Sequence, residues 1–105
     1  MGKEQQPLAM DYVYQDSLTD EFRNIGVKLY PNESGEYFEM ELASASKLTL
    51  GDLELVLNSL WGELFAKLRV NPVDDCRITL STAGEVYDVD VERSAKISVM
   101  GLTPR

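Results

Sequence analysis

Hydrophobic and polar residues alternate along this chain in two distinct rhythms. Over residues 8–14, Leu8, Met10, Tyr12 and Tyr14 alternate with Ala9, Asp11 and Val13, the two-residue period of a strand with one face in a core. Ile25, Val27 and Leu29 share one face of a second run, and Phe38, Met40 and Leu42 share one face of a third. The proline-, asparagine- and glycine-bearing stretch 31–36 supplies the turn between them. Pairing Tyr30 with Tyr37 sets Leu29 against Phe38, Val27 against Met40 and Ile25 against Leu42 on the inside, with Lys28 facing Glu39 outside. Ahead of this hairpin, Ser17-Leu18-Thr19-Asp20 reads as the capped start of a short helical turn.

The rhythm then lengthens. Leu53, Val56, Leu57, Leu60, Trp61, Leu64 and Leu68 recur at three- and four-residue spacings, which predicts a helix with a broad buried face. Thr49 is its candidate cap, Asp52 sits in the first turn where the helix dipole favours a carboxylate, and Asn71-Pro72 marks where it must have stopped. Period two returns in Cys76, Ile78 and Leu80 and again in Tyr87, Val89 and Val91, with a turn at 82–85. Placing Leu80 opposite Tyr87 aligns both sets inward and sets Arg77 against Asp90 outward. A last strand over residues 96–102 carries Ile97 and Val99 inward.

The order β-β-β-α-β-β-β predicts an α+β domain of two layers. A mainly antiparallel sheet of five or six strands packs against one core helix, because neither the helix nor the hairpins can bury an apolar side without the other. Residues 8–105 form this single domain and residues 1–7, polar and ending in proline, form a flexible leader. A chain of 105 residues fills one core and has no room for two.

Composition narrows the chemistry. The chain has no histidine and one cysteine, Cys76, which removes Ser–His–Asp and Cys–His machinery, an internal disulfide and thiolate metal clusters. No GxGxxG or Walker-type phosphate loop is present, so neither a cofactor nor a catalytic residue is expected. Cys76 and Trp61 both fall in apolar phases and are expected in the core. A formal charge of −8 repels phosphate backbones and anionic headgroups, so direct nucleic-acid and membrane binding are not expected, whereas a basic protein partner is compatible. The start of the chain carries no signal-like apolar segment and the stretch 53–68 is interrupted by charges, which points to a cytoplasmic protein.

Two surfaces remain as candidate partner sites. On the outer sheet face, Tyr30 stands beside Tyr37, and Val86, Met100 and Leu102 lie among Glu39, Glu41, Asp88 and Asp90, with Glu92 further along the same strand face. Aromatic and thioether side chains rimmed by charge bury area without desolvating an ion. On the back of the helix, Leu55, Ser59, Gly62 and Ala66 follow one stripe of mostly small residues, a docking or homodimer face that would offset the cost of a mid-helix glycine.

The expected function is that of a small acidic noncatalytic protein-binding module, an accessory or inhibitory factor of a phage or other mobile element. A first alternative is an inhibitor imitating nucleic acid, with the character of an anti-CRISPR or toxin-immunity protein. Its basis is the row Asp88, Asp90 and Glu92, spaced at about 6.8 Å along one strand face. A second alternative is a carboxylate-based metal-binding or enzymatic domain seated on Asp74, Asp75, Asp88 and Asp90.

Overall fold

The computed structural model describes residues 7–34, 36–68 and 76–105, with the side chains of Tyr37 and residues 64–68 outside that description. Most of the leader assigned to residues 1–7, the candidate helix stop at Asn71-Pro72 and the pair Asp74-Asp75 fall outside it as well. Strands β1 (Leu8–Gln15), β2 (Phe22–Pro31) and β3 (Tyr37–Ser44) precede helix α1 (Leu50–Leu68). Strands β4 (Arg77–Thr82), β5 (Glu85–Arg93) and β6 (Ile97–Pro104) follow it.

The six strands lie in chain order in one sheet. Every neighbouring pair is antiparallel except β3 and β4, which run parallel because the helix carries the chain back across the sheet between them. The fold is therefore the α+β two-layer arrangement that the periodicities predict, with six strands and one helix among the described residues.

The layers meet where the two rhythms coincide. Leu53, Val56, Leu57 and Leu60 of α1 are buried against Ile25, Val27 and Leu29 of β2, Met40 and Leu42 of β3, and Ile78 and Leu80 of β4. Each such side chain contributes about 1.5–3 kcal/mol relative to exposure. Cys76 is buried in this core, and Trp61 packs at its margin with the Arg93 guanidinium 5.5 Å from its ring centre. Thr49 caps the helix, its hydroxyl accepting from Asp52 N–H at 3.0 Å and its carbonyl from Leu53 N–H.

Two registers differ from the sequence expectation. Leu29 pairs with Met40 and Val27 with Leu42, so Tyr30 faces Glu39 and Lys28 faces Glu41. Pro31 prolongs β2, a bulge separates it from Tyr30, and Asn32 closes the turn by accepting from Ser34 and Glu36 N–H. A slip of two keeps a residue on its face, whereas a slip of one would invert it, so Ile25, Val27, Leu29, Met40 and Leu42 are buried as expected while their partners differ. Phe38 loses its inside partner and is exposed.

In β6, a bulge places Val99 opposite Val91 but Gly101 opposite Asp90, which leaves Met100 as the extra residue. Beyond it the phase reverses. Leu102, expected on the outer face, instead sits opposite Val89 and packs against the core.

The helix is fastened to one edge of the sheet. Asn58 donates to Ile97 C=O at 2.8 Å and accepts from Ile97 N–H at 2.9 Å, while Glu54 accepts from Val99 N–H at 2.9 Å. These side chains occupy the backbone groups that an edge strand leaves free. Asn58→Ala should cost about 1–3 kcal/mol, measured by urea denaturation, because it strands two part-buried backbone groups. At the β4–β5 turn, Ala83 (φ 51°) and Gly84 (φ 79°) both adopt left-handed backbone, the type I′ geometry of a two-residue hairpin. Ala83→Gly should raise stability by about 1 kcal/mol in the same assay, since alanine pays a steric penalty there.

Candidate interaction face

Because α1 covers one side of the sheet, the other side has no second layer among the described residues. The strand registers arrange its side chains in rows that run across the strands. Asp11, Gly26, Ala43, Ser81 and Val86 form one row through β1 to β5. At the usual strand spacing, this row extends about 19 Å. The adjacent row holds Lys28, Glu41, Thr79, Asp88 and Thr103.

The first row is low because its middle members are small, and the second stands above it. Together they form a groove of about 480 Å³ with Gly26, Ala43, Thr79 and Ser81 in its lining and Lys28 and Glu41 beside them. Thr79 is fully buried although it lies on this open face. A Cβ at Gly26 would meet Ala43 only at 3.8–3.9 Å, an ordinary contact, so the groove's depth comes from composition rather than from any need for glycine there.

Most of the outer-face residues singled out from sequence lie on this side. The Tyr30 hydroxyl donates to Glu41 Oε2 at 2.8 Å. That hydrogen bond, then burial and the charges of Glu41 and Glu39, hold the Tyr30 phenol above its ordinary pKa. Glu39 is bracketed by Tyr30 and Arg77 across the strands, so Tyr30 stands beside a carboxylate and not beside Tyr37. Val86 and Met100 are exposed, and Glu92 lies opposite Ser98.

The row Asp88, Asp90 and Glu92 shares the open face of β5, but two of its carboxylates already have partners. Asp88 Oδ1 is 3.4 Å from Arg105 Nε, and Asp90 Oδ2 accepts from the Thr103 hydroxyl at 2.7 Å. The described residues contain no group of three His, Cys, Asp or Glu side chains close enough to hold a metal ion. On the helix back, Leu55, Ser59 and Gly62 are exposed, and a Cβ at Gly62 would meet nothing within 4 Å. Ala66 and Tyr37 have side chains outside the description.

Sequence reasoning missed the Gly26–Ala43–Ser81 floor, which needs the correct β2–β3 register and the parallel β3–β4 pair before its members line up. It also missed a buried polar knot at one end of the sheet. Asp16, rather than Ser17, closes the β1–β2 turn. Its Oδ1 accepts from Leu18 N–H at 2.8 Å and its Oδ2 from Arg23 Nε at 2.8 Å. Arg23 continues to Ser46 Oγ, and Asp52 at the helix start accepts from Ser17 N–H and Oγ. Asp16 followed by Ser17 and Thr19 was the available signal, since a short carboxylate reaching forward two residues makes an Asx turn.

The Leu18 N–H, with the Arg23 guanidinium and Thr19 N–H, holds the Asp16 carboxyl below the ordinary carboxylate range, against the opposing effect of burial. A pKa lowered by folding stabilises fully above the unfolded-state value and ceases to stabilise as pH falls through the folded-state value. Asp16→Asn should therefore lower the urea midpoint at neutral pH and flatten the acid limb of the stability–pH profile. Parallel acid limbs for the two proteins would contradict this assignment.

No helix among the described residues is long and apolar enough to cross a membrane. Comparison with known proteins places the chain in no family: no family model, curated protein or solved structure matches it.

Proposed function

We propose that this protein is a noncatalytic protein-binding module of the cytoplasm that works through the open face of its sheet. The observation that carries the reading is the groove over Gly26, Ala43 and Ser81 on a face without a second layer among the described residues. A floor of glycine, alanine and serine lets a partner's backbone or flat side chains approach the sheet closely. Val86 supplies apolar area at one end of the groove. Carboxylates predominate around it: Asp11, Glu39, Glu41, Asp88, Asp90 and Glu92 share the face with Lys28, Arg77 and Arg105. This balance favours a partner segment whose apolar residues are flanked by lysine or arginine. The absence of histidine from the whole chain agrees with action by binding.

The nucleic-acid-mimicking inhibitor draws on the same β5 carboxylates. A phosphate mimic needs them free, and the contacts of Asp88 with Arg105 and Asp90 with Thr103 blunt that use. Partner choice is therefore assigned to the shape of the groove first and to the acidic rim second.

Capture from a cell extract, followed by mass spectrometry, identifies the partner, and a calorimetric titration then tests the face. Gly26→Phe fills the groove without changing charge and should weaken binding at least tenfold, about 1.4 kcal/mol, while Gly62→Ala on the helix back leaves it unchanged. Neutralising Asp88, Asp90 and Glu92 together should weaken binding less and reduce its salt dependence. Undiminished affinity in Gly26→Phe would overturn the open-face reading. A larger loss from the neutralised row than from Gly26→Phe would favour the mimic instead.

A further inference from the structure

The two edges of the sheet are finished differently. At β6, Asn58 and Glu54 occupy the free backbone of Ile97 and Val99. At β1 no side chain of the described residues bonds to the outward backbone of residues 9–15. Which groups face outward follows from the β1–β2 turn. Asp16 N–H bonds to Glu21 C=O at 2.8 Å, and hydrogen-bonded pairs alternate along an antiparallel ladder. The even-numbered residues of β1 therefore bond to β2, and Ala9, Asp11, Val13 and Gln15 turn their N–H and C=O groups to the free edge.

The helix leaves this same edge short of cover. Its close backbone approach is to β6, so Leu8, Met10 and Tyr12 on the inner side of β1 are only half-buried, while Ile25, Val27 and Leu29 beside them on β2 are buried. Between β1 and α1 runs a groove of about 360 Å³ lined by Tyr12, Tyr14, Leu55, Val56 and Ser59, with Asp52 at one end. Leu55 is 67% exposed beside it, and Val13, on the open side of the strand, is 59% exposed. Unpaired backbone flanked by apolar side chains above and below the strand is a template for a seventh strand.

We infer that the occupant is β1 of a second copy, added antiparallel so that two sheets continue into one. Charge supports self-pairing at this edge. The chain carries −8 overall, yet β1 holds a single ionised side chain, Asp11, in eight residues, so two copies meet here with little repulsion. Charge and overlap also select the register. A register that keeps inner residues with inner residues has a two-fold axis at a residue of β1.

Centring on Asp11 would oppose Asp11 to its own copy. Centring on Val13 would shorten the overlap to residues 11–15. Centring on Tyr12 pairs residues 9–15 and sets Asp11 against Val13 of the second copy, Met10 against Tyr14 and Ala9 against Gln15. The second copy's Met10, Tyr12 and Tyr14 then lie along Leu55 and Ser59, which completes the inner layer over β1. The overlap meets the open-face groove at its β1 end, where Ala9 and Asp11 belong to both, and does not include Gly26, Ala43 or Ser81 on the groove floor.

Sedimentation equilibrium of the full chain tests it, with a dimer expected. Val13→Pro removes an outward N–H without touching the β2 ladder and should shift the protein to monomer with its circular dichroism unchanged. Leu55→Glu should weaken the dimer at least tenfold. With Cys76 replaced by alanine, Tyr12→Cys should form an intermolecular disulfide under oxidised glutathione, because facing residues of a non-hydrogen-bonded pair lie within disulfide reach. Ala9→Cys in the same background should not.

A wild-type monomer at all concentrations overturns the inference. So does a dimer that survives Val13→Pro and gives no Tyr12→Cys cross-link. Amide exchange separates the remaining occupants: protection of Asp11 and Val13 that does not depend on concentration would show a cover from within the same chain and would also overturn it. Gly26→Phe should leave the dimer intact, so failure here and failure of the open-face reading are distinguishable.

Discussion

One helix cannot cover both sides of a six-stranded sheet. Helix α1 is the single helix of the described chain, and the parallel step from β3 to β4 obliges it to lie across one face. Its buried leucines and Val56 place it on the side that Ile25, Val27, Leu29, Met40 and Leu42 prepare. Everything distinctive about the surface follows. Among the described residues the opposite face carries no helix, and its side chains decide its character.

Where the helix sits along the sheet matters as much as which face it takes. Asn58 and Glu54 bind it to the backbone of β6, which closes that edge against pairing with another chain. The same bonds draw the helix away from β1, where Leu8, Met10 and Tyr12 are left half-buried. Protection of one edge and exposure of the other are two consequences of a single docking position.

The charges are less free than the composition implies. Asp16 and Asp52 are buried and hydrogen-bonded at the end of the sheet near the β1–β2 turn. There they tie that turn to Arg23 and to the helix start. Asp88 and Asp90 have contacts on β6 and beyond it. An excess of acid thus serves partly to hold loops in place, and only the remainder is available to an outside partner. The open face is better described as a shaped trough with an acidic rim than as a sheet of negative charge.

The hydrophobic periods determined the six strands, the helix and their order, the buried side of the strands apart from Phe38 and Leu102, and the burial of Cys76, and the hydroxyl of Thr49 marked the helix cap. Side-chain period is a local property, so a short window reveals it. Tertiary structure decided which residues become neighbours. A two-residue slip between β2 and β3 put Tyr30 against Glu39 without moving either to another face, and the Met100 bulge turned Leu102 from the open side into the core. Such shifts depend on turn geometry and on packing between elements distant in sequence. For the same reason, the trough over Gly26, Ala43 and Ser81 and the difference between the two sheet edges exist only once the strands are assembled.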